Sequence, residues 1–142
     1  MDPRTKARQL AMQALFQLDV QGASLLGDLD DFFRENAPEL PVRTLASDWT
    51  RETWANLPAC DELITGAALK WKLSRLSQVD KSILRLAVYH LKFCPDIPPK
   101  VTINEAIELA KKFGTDKSPS FVNGVLDCVL RKMMEVKQEA PK

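Results

Sequence analysis

The 142-residue sequence is 45% hydrophobic and 27% charged, which is typical of a soluble globular protein. Its formal net charge is +1, which excludes binding of nucleic acid or membranes through a strong overall field, so any electrostatic recognition must be local. Three cysteines without a CxxC pair argue against a disulfide framework or a zinc knuckle and favour a reducing cytosol. No apolar run approaches the roughly 20 residues that span a bilayer, so we expect a soluble, cytoplasmic protein with no membrane partner.

The N-terminal part of the sequence shows apolar residues at helical spacing. The first helix is expected to start with Asp2 as N-cap and Pro3 at its first position, and to end at Gly22. A short helix follows over Asp28–Asn36, and a third begins at Pro41. No segment alternates at period two, so no strand is predicted.

Two more helices are predicted in the middle of the chain. One runs from Pro58 to about Leu73, with Trp71 on its buried face. The other starts at Ser77, because Ser77 and Asp80 resemble a capping box, and it is strongly apolar.

The last two helices complete the prediction. Thr102 and Glu105 form a capping-box pattern that is expected to start the sixth helix, which Gly114 ends. Ser118 and Pro119 start the seventh. The sequence therefore predicts an all-α fold of about seven helices, built as a single domain with an N-terminal half (about 1–75) and a C-terminal half (about 76–142) that pack together.

Charge is uneven along the chain. Residues 1–18 hold three basic residues against one acidic residue, a net +2, and residues 23–40 are net −4 with five acidic residues and one arginine. Residues 68–85 hold five basic residues and one aspartate, a net +4. A charged partner would therefore be recognised by a local cluster of charged residues rather than by the net charge.

Catalytic patterns are missing from the sequence. The one histidine, His90, lies mid-helix, where a core or core-edge position is expected rather than a base beside a serine or cysteine nucleophile. Glu105 and Glu108 are spaced for a solvated helix face, and no Gly-rich loop or Glu-x-x-His repeat is present. We expect no enzyme, no catalytic residue, no cofactor and no metal.

The first helix is the best candidate for a binding surface. Arg4 and Arg8 are four residues apart and should project from one side, with Lys6 beside them and Gln9 and Gln13 extending the polar strip. Guanidinium groups bind phosphates, and glutamines can hydrogen-bond base edges. An ordinary solvated face is the alternative.

Two phenylalanines add a second signal for RNA. Phe16 falls off the main apolar stripe of the first helix, and Phe121 lies in the first turn of the last helix, where side chains are often half exposed. Aromatic rings beside basic residues stack on the bases of single-stranded RNA. Packing between the two halves is the alternative for both.

Four stretches carry a resemblance to a known family: "RTKARQLAMQALFQLD" (Arg4–Asp19), "LSQVDKSILRLAVYHL" (Leu76–Leu91), "IPPKVTINEAIELAKKFG" (Ile97–Gly114) and "SFVNGVLD" (Ser120–Asp127). In this order they resemble the NusB family of bacterial transcription antitermination factors. The resemblance implies two packed helical bundles and no catalysis. It also implies binding of boxA-type single-stranded RNA together with the ribosomal protein NusE, within the transcription elongation complex, to promote read-through in ribosomal RNA operons.

The resemblance also implies which residues act. The RNA-contacting set is Arg4, Lys6, Arg8, Gln13, Phe16, Lys117, Ser120 and Phe121. The NusE-contacting set lies on the helix that starts at Gln78 and comprises Gln78, Asp80 and Leu84. This sequence departs from the family pattern at Thr5, His90 and Lys117.

Three points stay open at this stage. The chain could instead be a helical protein–protein scaffold without RNA binding, or a NusB-like module that assists an RNA-modifying partner. A homodimer is also an open alternative to a monomer. Asn104, Asn123 and Gly124 are interpreted as structural, with Gly124 expected at a close approach between helices because glycine weakens a helix interior.

Overall fold

The structure is a computed structural model that describes residues 2–70 and 72–139, with side chains as far as residue 136. This part of the chain contains seven α-helices and, as predicted, no strand. The helices are α1 (Pro3–Gln21), α2 (Leu29–Asn36), α3 (Leu40–Ala55), α4 (Leu57–Ala67), α5 (Gln78–Phe93), α6 (Pro99–Phe113) and α7 (Ser118–Glu139). Short 3₁₀ turns occur at Ala23–Asp28 and Leu73–Arg75. None of these helices combines the length and apolar character needed to cross a membrane.

Helix α5 lies at the centre of the molecule. Every residue from Lys81 to Leu91 is buried, because α1, α3, α4, α6 and α7 all pack against this helix. The buried apolar residues form one cluster that runs from Ala7 in α1 to Val129 in α7. Both predicted halves contribute to this cluster, while the boundary between them near residue 75 stays a prediction.

The predicted ends of α1 and the predicted start of α5 are confirmed. The Asp2 carboxylate accepts a hydrogen bond from the Arg4 N–H at 2.8 Å, and Gly22 follows the helix with φ of 95°, a left-handed value that favours glycine. At α5, the Ser77 hydroxyl accepts a hydrogen bond from the Asp80 N–H at 3.0 Å. Each of these ends is set by residues within one turn.

Two predicted boundaries are wrong. Helix α4 ends at Ala67 rather than near Leu73, because Ala68 leaves helical geometry (φ −94°, ψ 60°) although the apolar spacing continues; Trp71 lies outside the described residues. Helix α6 begins at Pro99 and not at Thr102, since a proline whose φ is already helical is favoured at the first position. Thr102 is buried within the helix and forms no capping box.

The expectation for Gly124 is also wrong. Gly124 lies in α7 with an exposed surface, and a Cβ atom built there would meet no atom of the described residues within 4 Å. No neighbouring helix therefore requires a glycine at this position.

Candidate RNA and partner interface

The three basic residues of α1 do not share one environment. Arg4 is exposed and Lys6 is half-buried, but Arg8 is only 4% exposed. The Arg8 guanidinium lies 5.3 Å from the centre of the Trp49 ring, and its Nη1 is 3.7 Å from Glu105 Oε1. Of the three, only Arg4 and Lys6 are therefore placed to meet a ligand directly.

Helix α6 holds the polar strip of α1 in place. The Thr5 hydroxyl donates a hydrogen bond to Glu105 Oε1 at 2.9 Å, so Glu105 serves both Thr5 and Arg8. One turn further along, Lys112 Nζ donates to Gln9 Oε1 at 2.8 Å. Burial lowers the pKa of Arg8, and the charge of Glu105 opposes this shift. The N-terminal part of α1 is thus oriented by side chains about a hundred residues away in sequence.

Gln13 and Phe16 line a common cleft of about 320 Å³. Val79, from the first turn of α5, and Phe113, from the end of α6, also line this cleft. Phe16 is half-buried, so part of its ring is available to solvent. An aromatic ring beside a glutamine amide can stack on a base and hydrogen-bond its edge.

A second cleft, of about 310 Å³, brings together residues that are distant in sequence. The residues that line it include Asp80 of α5, Phe121 of α7, Lys117 just before α7, and Arg75 of the 3₁₀ turn before α5. Val79 lines the first cleft and its neighbour Asp80 lines the second, so both clefts border the first turn of α5. Ser120 is exposed and lies on the far side of Phe121.

The surface expected to contact NusE is confined to the first turn of α5. Gln78 is exposed and Asp80 is half-buried, whereas Leu84 is fully buried at 0% exposure. The Leu84 side chain therefore stabilises the core and cannot touch a partner while the fold is intact. Asp80 Oδ1 is shielded from solvent and has no hydrogen-bond partner among the residues that the structure describes, which leaves an acceptor at the cleft wall.

Two of the five basic residues in the positive segment 68–85 are neutralised inside the protein. Lys81 Nζ lies 2.9 Å from Asp19, and Arg85 binds Asp19 at 3.0 Å and Asp61 at 2.8 Å. We call these four residues the buried ion cluster. The charges of Lys81 and Arg85 hold the pKa of Asp19 below its usual value against the effect of burial, so the carboxylate stays ionised.

The remaining basic residues of the segment are exposed. Lys70, Lys72 and Arg75 take part in none of the ion pairs between described side chains. We call Arg4, Lys6, Lys70, Arg75 and Lys117 the basic surface. The sequence showed the charge of this segment but not which residues were buried, because Asp19 and Asp61 approach it only in the folded chain.

His90 packs inside the protein. Its ring centre lies 4.4 Å from that of Trp49, and it is 1% exposed. Burial, aided by the nearby Arg8 charge, lowers its pKa to about 3, so the imidazole is neutral at physiological pH. Among residues 2–70 and 72–136, no group of three His, Cys, Asp or Glu side chains is placed to hold a metal ion.

Fold and surface together define a helical protein that presents basic and aromatic side chains around two clefts bordering the first turn of α5. The NusB family model matches residues 5–131, which is most of the chain. The chain belongs to the NusB family.

Individual relatives agree with this assignment. The transcription antitermination protein NusB of Syntrophus aciditrophicus is 39% identical over 139 residues, covering 98% of this chain and 86% of the relative. The protein of the same name from Geobacter sulfurreducens is 44% identical over 128 residues, covering 89% and 93%.

Solved structures show the same fold. T. maritima NusB superimposes with a TM-score of 0.80 at 39% identity, covering 93% of both chains. A chain from a crystal structure of the antitermination factors NusB and NusE in complex with double-stranded RNA gives a TM-score of 0.84 at 25% identity, covering 93% of this chain and 98% of that one.

Proposed function

We propose that this protein is an RNA-binding transcription antitermination factor that acts together with NusE. The observation that carries the proposal is the pair of clefts that border the first turn of α5, one lined by Gln13 and Phe16 and the other by Asp80, Lys117 and Phe121. Family membership supports the same function, since relatives are named for antitermination and a structural relative was crystallised with NusE and RNA. The role is regulatory rather than catalytic, and its place is the cytoplasm.

The ligand is boxA-type single-stranded RNA from ribosomal RNA operons, and the first contacts are made by α1. Arg4 and Lys6 meet phosphates, Gln13 meets a base edge, and Phe16 and Phe121 stack on bases. Lys117 and Ser120 flank Phe121 and add polar contacts to the backbone. Arg8 does not contact RNA and instead stabilises α1 through its contacts with Glu105 and the Trp49 ring.

NusE meets the first turn of α5 through Gln78 and Asp80. Because Asp80 also lines the cleft that holds Lys117 and Phe121, NusE and RNA would lie side by side on this surface. Such an arrangement makes binding of one partner favour the other, because neighbouring NusE and RNA can contact each other only when both are bound.

Fluorescence anisotropy of a labelled boxA-type RNA tests the proposal. The RNA should bind more tightly when NusE is present, and binding should weaken steeply with salt because phosphate contacts release counterions. Arg4→Ala with Lys6→Ala should weaken RNA binding and leave NusE binding intact. Lys100→Ala with Arg131→Ala, two exposed positions outside the clefts, is the control of equal charge change.

Two other outcomes would contradict the proposal. A folded protein that binds NusE but shows no anisotropy change with RNA would be a protein–protein scaffold. A protein that binds RNA only through a methyltransferase or similar partner would be a module for RNA modification.

A further inference from the structure

Lys81 lies directly behind the residues of α5 that line the two clefts. The two residues before it are Val79, which lines the first cleft, and Asp80, which lines the second. These two are half-buried, whereas Lys81 is only 9% exposed. Its Nζ lies 2.9 Å from Asp19 Oδ2, near the end of α1. A buried charge therefore joins the first turn of α5 to α1.

Asp19 in turn lies one helical turn beyond Phe16 on α1. Residues three apart in a helix lie on the same side, and Phe16 and Asp19 have this spacing. Phe16 lines the first cleft from α1, and Val79 lines it from α5. The ion pair of Asp19 and Lys81 links the same two helices within a turn of these residues. Its length therefore constrains the distance between the two helices at the cleft.

The rest of the buried ion cluster holds this pair in one arrangement. Arg85 Nη1 donates a hydrogen bond to Asp19 Oδ1 at 3.0 Å, so the two oxygens of the Asp19 carboxylate face different cations. Arg85 also donates to both oxygens of Asp61 on α4, from Nε at 2.8 Å and from Nη2 at 2.9 Å. Paired contacts of this kind fix direction as well as distance. The Asp19 and Lys81 side chains are only 16% and 11% exposed, so solvent screens their contact weakly.

Stability alone does not account for such a pair. Taking a carboxylate and an ammonium out of water costs about as much free energy as their attraction returns, and apolar residues of similar volume are often at least as stabilising. An ion pair adds the selection of one packing arrangement over others. The arrangement that this pair selects is that of the first turn of α5 against α1.

We propose that Asp19 and Lys81 are positioning residues, whose ion pair holds the first turn of α5 in the orientation that NusE and RNA require. This inference rests on the proposed function, in which Gln78 and Asp80 of this turn meet NusE and Phe16 meets RNA. Asp19 and Lys81 touch neither partner and act through their neighbours on each helix. The pair therefore determines affinity from inside the protein.

The experiment measures binding by full-length variants whose fold is verified by circular dichroism and urea unfolding. Lys81→Met removes the ion pair but leaves Asp19 paired with Arg85, so this variant should fold. Its affinity for NusE should fall roughly tenfold, the loss of one well-placed interface contact. Its affinity for boxA-type RNA at saturating NusE should also fall roughly tenfold, the loss of one base–aromatic stack.

Two variants keep the result independent of folding and of the particular side chain. Asp19→Leu with Lys81→Met replaces the whole pair by apolar side chains and should show the same losses as Lys81→Met alone. Lys81→Arg keeps a cation within reach of Asp19 and should retain wild-type binding.

A matched control comes from the other side of the same cluster. Arg85→Met with Asp61→Leu removes the contact between α5 and α4 and leaves the pair of Asp19 and Lys81 in place. The residues from α4 line neither the first nor the second cleft. This α4 control should therefore bind NusE and RNA as wild type does, whatever its stability.

Each result decides the question. Weaker binding by folded Lys81→Met, recovery in Lys81→Arg and wild-type binding by the α4 control support the positioning role. Folded Lys81→Met that binds both partners as wild type does, or equal losses in the α4 control, overturns that role and leaves the proposed function standing. So does an RNA affinity of Lys81→Met whose logarithmic dependence on salt is shallower by about 0.7, because Lys81 would then contact a phosphate itself. Wild-type protein that binds neither NusE nor RNA would overturn both proposals.

Discussion

Two regions of this protein place lysine and arginine side chains in opposite environments, one buried and one exposed. In the buried ion cluster, Lys81 and Arg85 are almost inaccessible and each lies within 3.0 Å of a carboxylate. On the basic surface, Lys70 and Arg75 are open to solvent and carry no ion pair among the described side chains. A buried charge is tolerated only with an oppositely charged partner inside the fold, whereas an exposed charge is solvated and can bind an external ligand. Arg8 is buried like the residues of the ion cluster, although its position among the polar residues of α1 suggests that it belongs to the basic surface.

The largest effect is expected from Arg85→Met. Removing this guanidinium leaves Asp61 without its bidentate partner and Asp19 with Lys81 alone, so the free energy of unfolding should fall by about 3 kcal/mol. Urea unfolding followed by circular dichroism measures the change. Arg75→Met is the exposed counterpart and should change stability by less than about 0.5 kcal/mol. Equal losses in the two variants would show that burial does not distinguish them.

The next effect is a pH dependence that comes from His90. Its folded-state pKa of about 3 is below the usual 6.5, so the unfolded chain takes up a proton below pH 6.5 while the folded protein does not. The stabilisation is therefore complete above pH 6.5 and is lost as pH falls, by about 2 kcal/mol between pH 6.5 and pH 5. Urea unfolding at several pH values measures it.

His90→Phe is the control for this pH dependence. The substitution keeps an aromatic ring against Trp49 and removes the titrating group, so the slope between pH 6.5 and pH 5 should disappear whatever the absolute stability. Asp19, whose pKa is depressed, contributes in a lower window, below the usual aspartate pKa, where protonation breaks its contacts with Lys81 and Arg85. A slope that persists unchanged in the variant would place the effect elsewhere.

Arg8→Met should cost about 1 kcal/mol of unfolding free energy. Methionine keeps the apolar stem but loses the contact with Glu105 and the cation–π contact with Trp49. If Arg8 only supports the surface and does not contact RNA, the salt slope should stay at the wild-type value. The salt slope is the slope of the logarithm of RNA affinity against the logarithm of salt concentration. A slope that falls by about 0.7 would instead show that Arg8 swings out to meet a phosphate.

The smallest effect on stability is expected from Arg4→Ala and from Lys6→Ala. Neither side chain has an ion pair among the described residues, so unfolding free energy should change by less than about 0.5 kcal/mol for each. The salt slope of RNA binding should fall by about 0.7 for each, which is the reverse of the result expected for Arg8→Met. Anisotropy over a salt series, paired with urea unfolding, separates the two patterns.

Local signals predicted well wherever a few neighbouring residues decide the structure. The start of α1 at Asp2, its end at Gly22 and the start of α5 at Ser77 were predicted correctly because each depends on contacts within one turn. The start of α6 was predicted incorrectly because the Thr102 pattern competed with the prolines before it. The end of α4 was misjudged because apolar spacing continued into a segment that is no longer helical.

The candidate site was harder to predict because it depends on contacts between distant segments. One overlooked signal lies within α1 itself, where Arg8 shares its face with Met12 and Leu15, both buried. No comparable local signal exists for the clefts, since Phe16, Asp80 and Phe121 come from three helices.

Helix α5 has a consequence for how the protein moves. Because residues 81–91 are enclosed on every side, their amide protons can exchange with solvent only when the surrounding helices separate, which amounts to global unfolding. Accessible side chains of this helix lie at its two ends, at Gln78–Asp80 and at Lys92 and Phe93. A ligand that binds the first turn of α5, as proposed, would therefore touch the end of a helix whose buried part packs against five other helices.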